Sequence, residues 1–230
     1  MSILLNAIFP KFCIICNELG TSLCERCKKN LKLISFDTCI VCDGISVGGS
    51  THKSCSNSYT PDSYISFCSY NNISRQIVLK AKYGQKSYTL LETLIYLKEN
   101  LAKMNSLNDI DIITPVPMTK STQKARGTNH ALYIAKKISE IKHLPIIDLL
   151  IKNSRKSQKQ LTGETRRYNL RGKILIQKQF ITHIQNKSIL LVDDVLTTGA
   201  TMIESSKVLK TYGAKKITCL TLTKDEFHNV

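Results

Sequence analysis

The stretch Ser188–Thr201, SILLVDDVLTTGAT, decides how this chain is read. Four consecutive apolar residues, Ile189 to Val192, have the continuity of a strand buried on both faces, as in a parallel sheet. Asp193 and Asp194 arrive where that strand should end. Thr197, Thr198, Gly199, Ala200 and Thr201 then offer successive backbone N–H groups and three hydroxyls at the start of a helix expected from about Gly199 to Tyr212, with Gly213 as its stop. The free amides and the dipole of a helix N-terminus favour a phosphate, and glycine lets it approach the backbone closely. Phosphate alone does not call for two adjacent carboxylates, which would repel it. They suit a ligand whose neighbouring hydroxyls donate to them, as a ribose does, or one that brings Mg2+. A ribose carrying a 5-phosphate is the implied ligand.

Working outward, the same alternation of short apolar runs and helical periods continues. Tyr64 to Tyr70 predicts a strand, and Ile73, Ile77 and Ala81 recur at i+4 in a helix that Gly84 would cap. A longer helix over 87–104 presents Leu90, Leu91, Leu94 and Leu101 on one face. Ile110 to Thr114 is a short buried strand ending in Pro115-Val116-Pro117, whose prolines have no donor for a ladder. Ala131, Ile134, Ala135, Ile138 and Ile141 mark another amphipathic helix, and strands are expected at Ile146 to Leu150 and Ile217 to Leu222. Strands alternating with helices predict an α/β fold with a parallel sheet covered on both faces. No apolar run approaches the roughly 18 residues of a membrane-spanning helix, and Ile3 to Phe9 has no basic leader, so a cytoplasmic protein without membrane insertion is expected.

The cysteines organise the other end of the chain. Seven of nine fall in the first 55 residues, as Cys13-x2-Cys16, Cys24-x2-Cys27, Cys39-x2-Cys42 and Cys55. In a reducing compartment this spacing turns paired sulfurs toward one tetrahedral metal. His52-x2-Cys55 repeats the spacing with an imidazole, so eight ligands make two closed, structural zinc sites. Sequential pairing gives Cys13, Cys16, Cys24 and Cys27 in one site, with Cys39, Cys42, His52 and Cys55 in the other. A cross-brace would interleave them, and spacing alone does not choose. Cys68 and Cys219 fall in expected strands and read as core filler. The polar run Ser56 to Asp62, with Pro61, separates a zinc-binding domain at 1–60 from an α/β domain at 61–230.

The net charge of +16 is uneven. Residues 1 to 60 carry six basic and four acidic side chains, leaving +14 for the rest. Between positions 152 and 178, Lys152, Arg155, Lys156, Lys159, Arg166, Arg167, Arg171, Lys173 and Lys178 face only Glu164. Charge concentrated in this way calls for an anionic partner or for water.

The Ser188–Thr201 segment resembles the phosphoribosyl-pyrophosphate fingerprint of type I phosphoribosyltransferases. The chain as a whole resembles the ComF family, bacterial competence proteins in which a phosphoribosyltransferase-like domain follows a zinc-binding region. The resemblance rests on Leu4-Leu5 to Phe9-Pro10, the cysteine knuckles, Lys82-Tyr83-Gly84, Pro115-Val116-Pro117, Arg126-Gly-Thr-Asn129-His-Ala131 and Gln158-x-x-Leu161-x4-Arg166-x2-Asn169. Thr128 and His130 stand where the family usually has an aromatic residue and glutamine, and His52 where it usually has cysteine. By resemblance, Pro115 to Met118, including Val116 and Pro117, would receive pyrophosphate at a strained peptide, next to Arg126 and Asn129. Asp193 and Asp194 would be the catalytic pair on the ribose hydroxyls, with Mg2+ bridging ribose and pyrophosphate, and Thr197 to Thr201 would hold the 5-phosphate. The segment from Asn153 to Lys173 would be a mobile lid. The function implied is a competence protein that binds phosphoribosyl pyrophosphate and helps handle single-stranded DNA in natural transformation, for which Tyr83, Tyr88, Tyr96, Tyr133 and Tyr168 offer candidate stacking surfaces. One alternative is an active transferase acting on a nitrogenous acceptor, for which no segment marks a base pocket. The other is a protein-interaction module whose zinc region docks on a DNA translocase.

Overall fold

The computed structural model describes residues 11–83, 88–97, 101, 104–153 and 173–225. The expectations placed on Leu4 to Pro10, on Gly84, on the side chains of Tyr83, Tyr88 and Leu91, and on 154–172, including Arg166 and Asn169, lie outside these residues.

A four-stranded parallel sheet forms the centre, with β1 (Ser63–Ser69), β2 (Ile112–Pro115), β5 (Ser188–Leu196) and β6 (Lys216–Lys224) in the order β1-β6-β5-β2. Both faces are covered, which explains the unbroken apolar run in β5. Leu190 and Val192 point into a core formed with α2 (Asn72–Tyr83), α3 (Tyr88–Tyr96) and α5 (His130–Lys142). Ile189 and Leu191 point into a second core with α6 (Ala200–Thr211) and an antiparallel pair, β3 (Leu150–Lys152) and β4 (Ile174–Ile176). Cys68 and Cys219 are fully buried, one on each side, as small apolar side chains.

Two elements differ from expectation. The strand expected over Ile146 to Leu150 joins the sheet for a single bridge, Ile146 with Ile113, where the Ile113 N–H donates to the Pro145 carbonyl at 2.9 Å and the Ile147 N–H to the Ile113 carbonyl at 3.0 Å. Beyond it the Leu149 N–H turns to the Thr114 hydroxyl of β2 at 3.2 Å instead of a backbone carbonyl, and the chain continues as β3, paired with β4. A helix that hydrophobic periodicity did not mark, α4 (Lys120–Arg126), follows the Pro115–Met118 loop. It is announced by its caps instead, with the Thr119 hydroxyl accepting from the Thr122 N–H at 3.2 Å and Gly127 ending it at φ +78°.

The cysteine-rich segment, which contains the short helix α1 (Glu25–Lys29), packs onto the sheet. Residues 32–34 pair antiparallel with β1, through Ser69 N–H to the Lys32 carbonyl at 2.9 Å and Ile34 N–H to the Phe67 carbonyl at 3.0 Å, and cover its edge. Cys13, Ile14, Leu23 and Leu31 belong to the same core as α2 and α5. At Gly49, φ is +67° and the position a Cβ would take lies 1.9 Å from the Tyr64 carbonyl oxygen, so only glycine allows this crossing. Gly49→Ala is therefore expected to destabilise the protein by more than about 2 kcal/mol. Chemical denaturation would measure this, and an unchanged midpoint would contradict the packing.

Candidate functional site

The two metal clusters are built alike. Each begins with a tight knuckle, Cys13–Cys16 or Cys39–Cys42, followed by a residue with positive φ, Asn17 at +59° or Asp43 at +62°. Their amides return to the first cysteine, Asn17 N–H to the Cys13 carbonyl at 2.8 Å and Asp43 N–H to the Cys39 carbonyl at 2.9 Å. The ligand atoms of Cys13, Cys16, Cys24 and Cys27 lie within 4.8 Å of one another, as do those of Cys39, Cys42, His52 and Cys55. This is the sequential pairing, and the cross-brace does not form.

The donor sets fit zinc. Burial pushes the Cys13 thiol up, but the amides of Cys16, Cys24 and Ile15 outweigh it and bring it down to about 6. Burial likewise opposes ionisation of Cys39, where the amides of Cys42, His52 and Val41 win and bring it to about 7. Burial and the neighbouring cysteines hold Cys27 up, so a metal cation is what lets four adjacent sulfurs ionise together. The His52 Nε2–H donates to the Ile45 carbonyl at 3.0 Å, which leaves Nδ1, 3.2 Å from the Cys42 sulfur, as a ligand atom.

At the carboxyl end of β5, the structure brings together residues from four separate parts of the chain. The parallel order places the ends of β2 and β5 side by side, with Pro115 in register with Val192. Beyond β2, the Pro115–Met118 loop is held by Asn129. Its amide Nδ2 donates to the Val116 carbonyl at 3.3 Å, while its Oδ1 accepts from the Ala131 N–H at 3.1 Å and caps α5. No residue of this loop has a cis peptide or a positive φ.

Asp193 and Asp194 separate two cavities. One, of about 300 Å³, is lined by Val116, Pro117, Met118, Arg126, Asn129 and His130, with Lys152 at its margin. The other, of about 220 Å³, is lined by Thr197, Thr198, Gly199, Ala200 and Thr201, closed by Tyr70 and Lys82. Gly199 takes φ +68° and starts α6, so the free amides of the first turn open toward this loop. The residues proposed from sequence for ribose, phosphate and pyrophosphate, Pro115 apart, thus line these two cavities on either side of the acid pair.

Three further members were missed from sequence. The Lys82 ammonium lies 2.8 Å from the Asp194 carboxylate, both largely buried. His130, 1% exposed, donates from Nε2 to the Ala81 carbonyl at 3.1 Å, and its Nδ1 has no partner while standing 3.8 Å from Asp194. Burial holds its pKa below the usual histidine range, so it is neutral and this approach is not an ion pair. Lys152 is the third, and burial lowers its pKa against the opposing pull of Asp193. Lys82 and His130 each stood in a motif quoted for the resemblance and Lys152 headed the basic run, but none of the three was assigned a role beside the acid pair.

Comparison with known proteins agrees with this architecture. Residues 4–62 match the double zinc ribbon domain and residues 128–226 the phosphoribosyl transferase domain. Competence protein F of Haemophilus influenzae is 31% identical over 132 residues, 55% of this chain and 56% of that relative's length. Competence protein ComFC of Bacillus subtilis is 24% identical over 216 residues, 88% of this chain and 84% of the relative. The chain is thus similar to ComF-type competence proteins and joins a double zinc ribbon match to a phosphoribosyl transferase match. Among solved structures, a purine phosphoribosyltransferase from Pyrococcus horikoshii is 18% identical, covers 73% of this chain and 82% of its own, and superposes with a TM-score of 0.37. No helix among the described residues is long and apolar enough to cross a membrane.

Burial, with the neighbouring charge of Asp194, raises the Asp193 carboxyl to about 7 from an ordinary 3.8, although Lys82, Lys152 and the Asp194 N–H, which donates to it at 2.8 Å, pull the other way. The folded protein therefore keeps a proton that the unfolded chain releases between about pH 4 and 7, and stability falls over that window as pH rises. Asp193→Asn should melt several degrees above the parent at about pH 7.5, with the gap closing toward about pH 4. A pH-independent difference in thermal scans would refute the buried-acid assignment.

Proposed function

We propose that this protein is a member of the ComF family that binds phosphoribosyl pyrophosphate across the two cavities, and that it serves natural transformation by helping to handle single-stranded DNA. The observation that carries the first part is the placement of Asp193 and Asp194 between a helix-start loop and a loop at the end of the neighbouring strand. A 5-phosphate fits the amides and hydroxyls of Thr197–Thr201. The ribose hydroxyls donate to carboxylate oxygens of Asp193 and Asp194. Pyrophosphate meets the Val116–Met118 backbone, with Arg126 and Lys152 supplying positive charge. The Lys82 ammonium, 2.8 Å from Asp194, offsets negative charge beside the ligand. Asp193 and Asp194 would hold Mg2+ arriving with the donor, which would supply positive charge to stabilise the leaving group if transfer occurs.

The competence role is supported by the names of the two relatives, and the DNA role by the +14 carried by residues 61–230 together with that kinship. The zinc region, at +2, is a poor match for a polyanion on charge grounds. An active transferase needs the same donor site plus a nitrogenous acceptor. Release of pyrophosphate on addition of a nucleobase would distinguish it from a binding protein.

Asp193→Asn combined with Asp194→Asn should reduce affinity for phosphoribosyl pyrophosphate at least tenfold, roughly the loss of two charge-assisted hydrogen bonds, and leave two zincs per chain. Calorimetry with Mg2+ and a zinc titration would measure both, and unchanged donor affinity would overturn the site. Single-strand binding should weaken steeply with salt, because contacts to phosphates release counterions. Binding that is absent at low salt, or flat with salt, would remove the DNA assignment.

A further inference from the structure

The second metal cluster stands against the phosphate-side loop. Ile40 lies between two of its ligands, Cys39 and Cys42, and its carbonyl oxygen is 3.4 Å from the position a side chain would start at Gly199, with its own Cγ1 at 3.8 Å. Ile40 is 3% exposed and shares a core with Leu196 and Met202, the residues on either side of the loop. A second tie reaches the loop's beginning. Thr38 and Asp43, which flank the knuckle, both receive the ammonium of Lys224, the former at 2.7 Å. Lys224 is in register with Leu196, and the following Asp225 N–H donates to the Leu196 carbonyl at 2.9 Å. The knuckle thus grips both ends of the loop between Leu196 and Gly199.

This grip depends on metal more than on packing. Around the second cluster, Val47 is 94% and Ile45 72% exposed, Cys42 is exposed, and the ligand-bearing chain is held by two single-turn 3₁₀ segments, Val47–Gly49 and Lys53–Cys55. The first cluster differs, because Cys13, Cys24 and Cys27 lie within the main core and its Ile14 carbonyl receives the Lys80 ammonium of α2. Cys39 and Ile40 are buried, but Cys42, His52 and Cys55 lie on or beside this sparsely packed stretch, so the closure of the cluster around Ile40 is completed by its metal. A shape change there moves Ile40, which bears on the loop.

We infer that Ile40 is a positioning residue for the phosphate loop, and that zinc in the Cys39, Cys42, His52 and Cys55 cluster is thermodynamically linked to anion binding at that loop. The inference rests on the reading of Thr197–Thr201 as a phosphate cradle and adds to it a dependence on one particular zinc. Linkage is reciprocal: if the zinc strengthens anion binding by some factor, the anion must hold the zinc more tightly by the same factor.

Ribose 5-phosphate is the probe. Ile40→Ala should bind it about tenfold more weakly than the parent, within the usual range of such couplings, while both zincs remain. Ile40→Val should restore near-parent affinity, because it keeps the branched contact. In the unmutated protein, saturating ribose 5-phosphate should slow loss of one of the two zincs to a chelator by a similar factor and leave the other unaffected. Parent-like affinity in Ile40→Ala, or zinc release indifferent to the ligand, would overturn the linkage while leaving the phosphate site standing. Failure of the parent to bind ribose 5-phosphate at all would remove the phosphate site, and the linkage with it.

Discussion

Two adjacent carboxylates at the end of a strand buried on both faces set a constraint that the surrounding structure has to meet. Charge at that depth is costly unless it is paired. The protein meets this cost from separate directions. Lys82 comes from the end of α2, Lys152 from β3, and the Asp194 amide from the same strand. The balance is incomplete at Asp193, whose carboxyl is held up to about 7 by burial and by its neighbour. A pair in this state is what the proposed ligand, with its hydroxyls and its own cation, would complete.

The zinc region takes part in the same construction. Its residues 32–34 shield the edge of β1, its first knuckle leans on α2, and its second on the loop before α6. α2 carries Lys82, and the loop carries the free amides, so each knuckle backs one wall of the cavity beside Asp194. A chain whose first segment is too poor in apolar residues for a core of its own gains order from metal and passes that order to the site. The buried glycine at position 49, which lets the two parts cross within van der Waals distance, belongs to this arrangement.

Much of the fold was legible in the sequence because its signals are local. Continuous apolar residues in β5, i+4 repeats in α2 and α5, and cysteine pairs two apart each report on a few neighbouring positions. The elements that escaped were those whose cause lies elsewhere. The strand expected after Pro145 ends after one bridge, where the Leu149 N–H meets the Thr114 side chain in place of a backbone carbonyl, and α4 is too short to show a period, so only its caps announced it. His130 gave no sign of its position, because an isolated histidine in an amphipathic helix looks the same whether it faces solvent or an aspartate.

By itself the sequence determined the strand, the acid pair and the threonine-glycine loop that follow one another in Ser188–Thr201, and the eight metal ligands, because contiguous or regularly spaced residues carry those features. Tertiary structure alone decided which ligands share a metal, which lysines neutralise the acids, and that the Ile40 carbonyl abuts the phosphate-side loop. These are contacts between residues far apart in the chain, and nothing in local composition or periodicity encodes them. They exist because a parallel sheet gathers the ends of distant strands at one edge, and the elements packed around that edge supply what the buried charges lack.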